Sequence, residues 1–147
     1  MQLILVVEDE HGAAEVLKLL LESHGYRVAA AANGQEAVEL LSAEKPSLIL
    51  SDFMMPHMNG AELGNHVRRD PLLRDIPFVF TSGTNESIVR SAFKDYDGFL
   101  SKPYEVDPML ALLNKLVTSG RPIAATTAEI DDSMRQLLKG IELPPGT

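Results

Sequence analysis

The stretch that decides the fold reads LILVVEDE at residues 3–10. Its first five side chains are all large and apolar, and no polar residue alternates with them. Such a continuous run is typical of a parallel-sheet strand that helices cover on both faces. Because acidic residues follow this run directly, we expect their carboxylates to lie at the carboxyl-terminal edge of the sheet.

The same pattern recurs along the chain, where short apolar runs alternate with segments of helical periodicity. This alternation predicts an α/β protein made of strand-helix units, a (βα)₅ chain. The predicted strands are Leu3–Val7, Tyr26–Ala31, Leu48–Ser51, Phe78–Thr81 and Gly98–Ser101. Gly25 is a predicted helix stop and Asn33 a predicted helix N-cap between these strands.

The composition argues against several classes of protein. The chain has 147 residues, of which 45% are hydrophobic and 23% are charged, as expected for one globular domain. It has no cysteine, which excludes disulfide scaffolds, thiolate zinc sites and cysteine nucleophiles. A formal net charge of −8 disfavours direct contact with nucleic acid or anionic lipid. We find neither a secretory leader nor an apolar run of about 20 residues, and expect a cytoplasmic protein without membrane contact.

Polar side chains that suit phosphoryl chemistry stand at the predicted strand ends. Glu8 and Asp9 follow the first strand and Asp52 follows the third, so their carboxylates converge if these strands are neighbours. Three carboxylates on one rim repel each other unless a hard cation such as Mg²⁺ neutralises them. Ser82 adds a hydroxyl and Lys102 adds a cation at the same edge. Together they predict a site that positions a phosphoryl group and neutralises its charge.

At residues 2–117 the sequence resembles the response-regulator receiver domains of two-component signalling. Four pieces in order carry this resemblance: LVVEDE at residues 5–10, DFMMPHMNG at residues 52–60, Ile76-Pro77 leading to Ser82-Gly83, and Lys102-Pro103. The resemblance implies a doubly wound, flavodoxin-like fold with a five-stranded parallel sheet in the strand order 2-1-3-4-5. In this family the corresponding bond before proline is often cis, which orients the lysine side chain. The resemblance therefore also implies a cis Lys102-Pro103 bond.

The resemblance further implies a metal-assisted phosphoacceptor. Asp52 occupies the position that receives a phosphoryl group from a histidine kinase or a phosphotransfer protein. Mg²⁺ would be held by Asp9, Asp52 and the backbone carbonyl of Met54, and Glu8 would bind it directly or through water. Glu8 stands where the family more often has aspartate, which lengthens one arm of the metal site.

Three further residues receive roles from the same resemblance. Ser82 would donate a hydrogen bond to a phosphoryl oxygen, and Lys102 would pair with the phosphoryl group. Phe99 stands where the family often has a switching tyrosine, and it would turn inward when Ser82 moves toward the phosphoryl group.

Three functions are compatible with these residues. We favour a receiver that is not itself an enzyme for a separate substrate and that signals through protein contacts, either as a single-domain regulator or as a phosphorelay intermediate. Aspartate-nucleophile phosphatases share the carboxylate, metal, hydroxyl and lysine set, but they carry a general acid two residues after the nucleophile, where this chain has Met54. A binding module that works without phosphorylation is the other alternative.

The last part of the chain differs from the rest. We divide the sequence into a receiver domain at residues 1–117 and a segment at residues 118–147 that contains a linker and a short amphipathic helix. The predicted helix, residues 126–141, carries an apolar stripe formed by Ile130, Met134, Leu137, Leu138 and Ile141. This stripe must be covered by the chain's own receiver, by a second copy or by an output domain, and from the sequence we favour a homodimer.

Overall fold

The computed structural model describes residues 2–121, which form a five-stranded parallel sheet with helices on both faces. The strands lie in the order β2-β1-β3-β4-β5, which confirms the doubly wound topology that the resemblance implies. Their bounds are β1 Leu3–Val7, β2 Arg27–Ala31, β3 Leu48–Asp52, β4 Phe78–Ser82 and β5 Gly98–Ser101.

Five helices connect and follow these strands. Their bounds are α1 His11–Ser23, α2 Gly34–Ala43, α3 Gly60–Arg69, α4 Glu86–Ala92 and α5 Val106–Ser119. Within the described residues, no helix combines the length and the apolar content that are needed to cross a membrane. The last helix ends two residues beyond the predicted domain boundary at residue 117, and the predicted helix of residues 126–141 lies outside the described residues.

The sheet separates two apolar cores. Helices α2, α3 and α4 pack on one face through side chains such as Leu41, Leu63 and Val89. Helices α1 and α5 pack on the other face, where Leu21 and Leu113 are fully buried. Because the central strands β1, β3 and β4 are buried at every position, their apolar runs carry no polar alternation.

The edge strands do not meet the expectation of coverage on both faces. In β2 only Ala31 is buried, and β5 contains no buried residue, because each strand has a neighbour on one side only. Strand β2 also starts one residue later than predicted. Gly25, with a φ of +90°, and Tyr26 close the end of α1, and Tyr26 donates its N–H to the carbonyl of Leu21.

Helix α3 begins where the chain passes closest to Asp52. Asn59 and Glu62 form a reciprocal capping box at its start. A side chain at Gly60 would clash, since a Cβ there would lie 2.8 Å from the backbone oxygen of Asp52 and 2.7 Å from the ring of Phe80. A glycine at residue 60 therefore lets the start of α3 pack directly against the end of β3.

A buried ion pair connects several elements at the end of the sheet opposite to Asp52. The side chains of Arg68 in α3 and Asp97 before β5 are only 9% and 3% exposed, and they meet at 2.9 Å. Asp97 also accepts the N–H of Phe78 at 2.8 Å and Arg121 Nε at 2.9 Å. This one carboxylate therefore joins α3, β4 and Arg121, which lies two residues beyond the end of α5.

We predict that Asp97→Ala destabilises the fold strongly, because it removes the buried carboxylate that pairs with the Arg68 guanidinium and accepts the backbone N–H of Phe78. The free energy of unfolding should fall by about 3–5 kcal/mol. The control is Asp75→Ala, which removes an exposed partner of Lys45 and should cost about 0–1 kcal/mol. Urea unfolding of both variants measures this difference, and equal losses would contradict it.

Candidate functional site

Three carboxylates meet at the carboxyl-terminal edge of the sheet. Strand β1 pairs with β3 in a register that puts Val7 beside Ser51, so the residues that come next in each strand are also neighbours. Glu8, Asp9 and Asp52 each offer an oxygen, and these oxygens lie within 4.8 Å of one another. Glu8 and Asp52 are buried, whereas Asp9 is exposed.

A single ammonium group faces two of these carboxylates. Lys102 Nζ lies 3.1 Å from Asp52 Oδ2 and 3.3 Å from Glu8 Oε1. The backbone N–H of Lys102 donates to the carbonyl of Ser82 at 2.8 Å, which continues the pairing of β4 with β5. The Lys102-Pro103 bond is cis, as the resemblance suggested.

The pKa values reflect this crowding of charges. Burial raises the pKa of Glu8, and repulsion from Asp52 adds to the rise, while the N–H of Glu10 and the charge of Lys102 act against it. Burial would lower the pKa of Lys102, but its hydrogen bond and attraction to Asp52, together with Glu8, outweigh burial and raise it. The lysine therefore stays charged beside Asp52 and Glu8.

Two backbone contacts hold Glu8 and the start of α1 in place. The N–H of Glu10 donates to Glu8 Oε2 at 3.2 Å, and Glu10 Oε1 accepts the N–H of Ala13 as the helix cap. The turn after β1 therefore fixes the carboxylate of Glu8 from one side, while Lys102 contacts it from the other.

Ser82 lies on the same edge, at the end of β4. Both β3 and β4 extend one residue further than predicted, so that Asp52 pairs with Thr81 and Ser82 is still part of its strand. Ser82 is 1% exposed, and its Oγ accepts the N–H of Thr84 at 2.8 Å. The structure thus brings a buried hydroxyl to the strand that adjoins Asp52.

Phe99 and Met54 differ in how far they are buried. Phe99 is half-buried, lies beside Phe80 in the register of β4 and β5, and has its ring 6.1 Å from that of Tyr96. The side chain of Met54, in the loop after β3, is 63% exposed. Neither side chain supplies a charge to the carboxylate cluster.

Sequence reasoning missed one residue beside this site. Burial raises the pKa of Tyr104, whose phenol also experiences the charges of Lys102, Glu8 and Asp52. Tyr104 packs against the core beneath α1 and α5. Its only signal in the sequence is its position two residues after Lys102, and that spacing alone predicts no contact.

This arrangement suits a cation and a phosphoryl group better than an organic ligand. Its donors are carboxylate oxygens, which hard cations such as Mg²⁺ prefer, and a lysine that can pair with an anion. The excess of negative charge at short range disfavours the cluster unless a cation joins it.

Comparison with known proteins agrees with this chemistry. Residues 4–114 match the family described as the response regulator receiver domain. Response regulator Rre1 of Synechocystis sp. is 31% identical over 97% of this chain and 66% of its own length. This chain spans about half to two thirds of the length of the first curated relatives that it matches.

Two solved structures are also similar to this chain. The response regulator TrrA of Thermotoga maritima, in complex with Mg²⁺ and BeF, has 27% identity and a TM-score of 0.72, and the match covers 79% of this chain and 99% of TrrA. The receiver domain of the sensor histidine kinase PA1611 of Pseudomonas aeruginosa, with a magnesium ion in its active-site cleft, has 25% identity and a TM-score of 0.73, covering 80% and 98%. With the family match over residues 4–114, these likenesses show that the chain belongs to the response regulator receiver domain family.

Proposed function

We propose that this protein is a phosphoacceptor that receives a phosphoryl group on Asp52 from the phosphohistidine of a kinase or a phosphotransfer protein. The observation that carries the proposal is the position of Asp52, which is buried among carboxylates within 4.8 Å and lies 3.1 Å from Lys102 Nζ. An isolated turn aspartate needs neither of these neighbours. The family and the order of the motifs support the same role.

The residues at the sheet edge fit a magnesium ion. Glu8, Asp9 and Asp52 provide oxygen ligands at close range, and the backbone carbonyl of Met54 would complete the protein's share of the site. When bound, Mg²⁺ supplies charge neutralisation for the phosphoryl oxygens. The fit rests on the carboxylates themselves, because their mutual repulsion is the property that a divalent cation relieves.

The chain's own residues then position the group and balance its charge. An oxygen of Asp52 attacks phosphorus, a P–O bond forms, and the P–N bond to the donor imidazole breaks as that imidazole leaves. Lys102, already beside Asp52, pairs with the transferred group, and this charge stabilisation is the main contribution of the protein. Water later attacks phosphorus, which releases phosphate and restores the carboxylate.

The hydroxyl of Ser82 can donate a hydrogen bond to the transferred phosphoryl group. Its Oγ accepts a hydrogen bond from Thr84, so its own O–H proton remains available for a phosphoryl oxygen. Movement of Ser82 would change the packing beside β5, where Phe99 is half-buried and able to turn inward. The output is a contact with a downstream protein, and the cytoplasm, where kinases phosphorylate receivers, is the proposed compartment.

A phosphatase for separate substrates is disfavoured by residue 54. The thioether of Met54 cannot donate a proton to a leaving group, and its side chain is exposed rather than held over Asp52. We therefore propose that the chain assists only its own phosphorylation and dephosphorylation.

We predict that Asp52→Asn abolishes phosphorylation, because the amide removes the nucleophilic oxygen with almost no change in size. The test is intact mass after incubation with Mg²⁺ and a small acyl phosphate. Asp75→Asn, a control at an exposed aspartate outside the site, should take up one phosphoryl group like the unmodified protein. A phosphoryl group on the Asp52→Asn protein would contradict the assignment.

We also predict that Mg²⁺ stabilises the protein and that Asp9→Ala removes this effect. Binding at about 100 times Kd adds about 2.7 kcal/mol, which should raise Tm by about 5–10 °C. Glu15→Ala, at an exposed acid in α1, should keep the full Mg²⁺ response. Thermal melts with and without Mg²⁺ measure the shift, and an unchanged response in Asp9→Ala would place the metal elsewhere.

A further inference from the structure

An apolar groove lies between α2 and α3, far from the carboxylate cluster. Val38 and Leu41 of α2 and Leu72 and Leu73 after α3 supply its apolar lining, polar residues 42, 45, 66 and 70 complete it, and the groove has a volume of about 670 Å³. Leu72 is 75% exposed, the largest exposed fraction among the large hydrophobic residues that the structure describes. This groove has no role in the proposed phosphoryl chemistry.

The exposure of Leu72 follows from the turn that ends α3. Asp70 Oδ1 accepts the N–H of Leu72 at 2.9 Å, and the carbonyl of Asp70 accepts the N–H groups of Leu73 and Arg74. The turn is therefore well ordered, with Leu73 directed into the core and Leu72 directed out over the groove. A fixed, exposed leucine beside an apolar groove is typical of a surface that another segment covers.

The described chain ends next to this groove. Helix α5 packs on the opposite face of the sheet. The side chain of Arg121, beyond the end of α5, nevertheless bonds to Asp97 and Asp95, and its Nη1 lies 3.4 Å from the carbonyl of Arg74. Leu72 is two residues from Arg74, no more than about 7 Å along the backbone. The end of the described chain therefore lies close to the turn that carries Leu72.

We infer that residues 126–141 pack their apolar stripe into the α2–α3 groove of the same chain. The eight residues 122–129 that precede the stripe can span up to about 26 Å, enough to cover the length of the Arg121 side chain and the step from Arg74 to Leu72. As a helix, the stripe from Ile130 to Ile141 would be about 16 Å long and would place apolar side chains along one face. The inference does not depend on phosphorylation of Asp52.

Other surfaces fit this segment less well. The neighbouring groove between α3 and α4 is smaller, at about 440 Å³, and is lined mainly by polar and charged side chains such as Arg90 and Lys94. Val16 and Leu19 are also exposed, but their helix α1 packs on the opposite face of the sheet from α2 and α3. The contact of Arg121 with Arg74 thus favours the chain's own groove over the homodimer that we favoured from the sequence.

Disulfide trapping tests the inference in the full chain, which contains no natural cysteine. Leu72→Cys is combined in turn with Met134→Cys, Leu137→Cys and Ile141→Cys, and each protein is oxidised mildly at micromolar concentration. The matched controls join the same three tail substitutions to Val16→Cys, which is similarly exposed on α1. Intact mass and non-reducing electrophoresis separate disulfides within one chain from those between two chains.

We expect at least one Leu72 pair to close within a single chain about tenfold faster than its Val16 control, because docking raises the effective concentration of the two thiols. Equal rates for the Leu72 and Val16 pairs would overturn the inference. Disulfides mainly between two chains would overturn it as well, and would indicate a second copy as the occupant.

A second measurement does not depend on the geometry of a disulfide. Leu72→Asp should lower Tm by about 4 °C in the full chain, because docking buries the leucine. The same change should have almost no effect when Leu137→Asp and Leu138→Asp already prevent docking. Additive Tm changes would show that the leucine and the stripe do not interact, and would overturn the inference.

Discussion

The electrostatic balance at the sheet edge is the constraint on which the rest of the structure depends. Glu8, Asp9 and Asp52 place oxygens within 4.8 Å of one another, and Lys102 is the cation that contacts two of them. Such a cluster persists only where the scaffold is rigid, because repulsion would otherwise separate the carboxylates. The rigidity comes from strands β1 and β3, which are buried along their full length and locked in parallel register.

Strong local signals in the sequence were sufficient to predict the central strands and the polar residues at their ends, whereas the strand order came from the resemblance to receiver domains. Each central strand is an uninterrupted apolar run, and the polar residues come directly after such runs. The ends of β3 and β4 were predicted one residue short. Asp52 and Ser82 belong to their strands because they pair with Thr81 and Ser101, and pairing of this kind depends on the neighbouring strand rather than on local composition.

Other contacts between distant residues, which no motif marks, could not be predicted from the sequence. Arg68, Asp97 and Arg121 look like ordinary surface charges when they are taken singly, yet the structure buries Asp97 at 3% exposure between the two arginines. Tyr104 is a similar case, because its raised pKa comes from burial against residues far away in the chain. Periodicity reports which face of an element is apolar, but it carries no information on which charges will meet.

The aromatic core gives Asp52 a physical link to the surface of α4. Phe53 follows Asp52 and contacts Phe80 edge to face at 5.6 Å, and Phe80 in turn contacts Tyr96 at 5.5 Å. The hydroxyl of Tyr96 donates to Glu86 in the first turn of α4. Because a close-packed interior leaves little free volume, a shift of one ring must displace the next. If Asp52 accepts a phosphoryl group as proposed, this series of rings connects β3 to α4 beside Phe99, with an exposed helix at its far end.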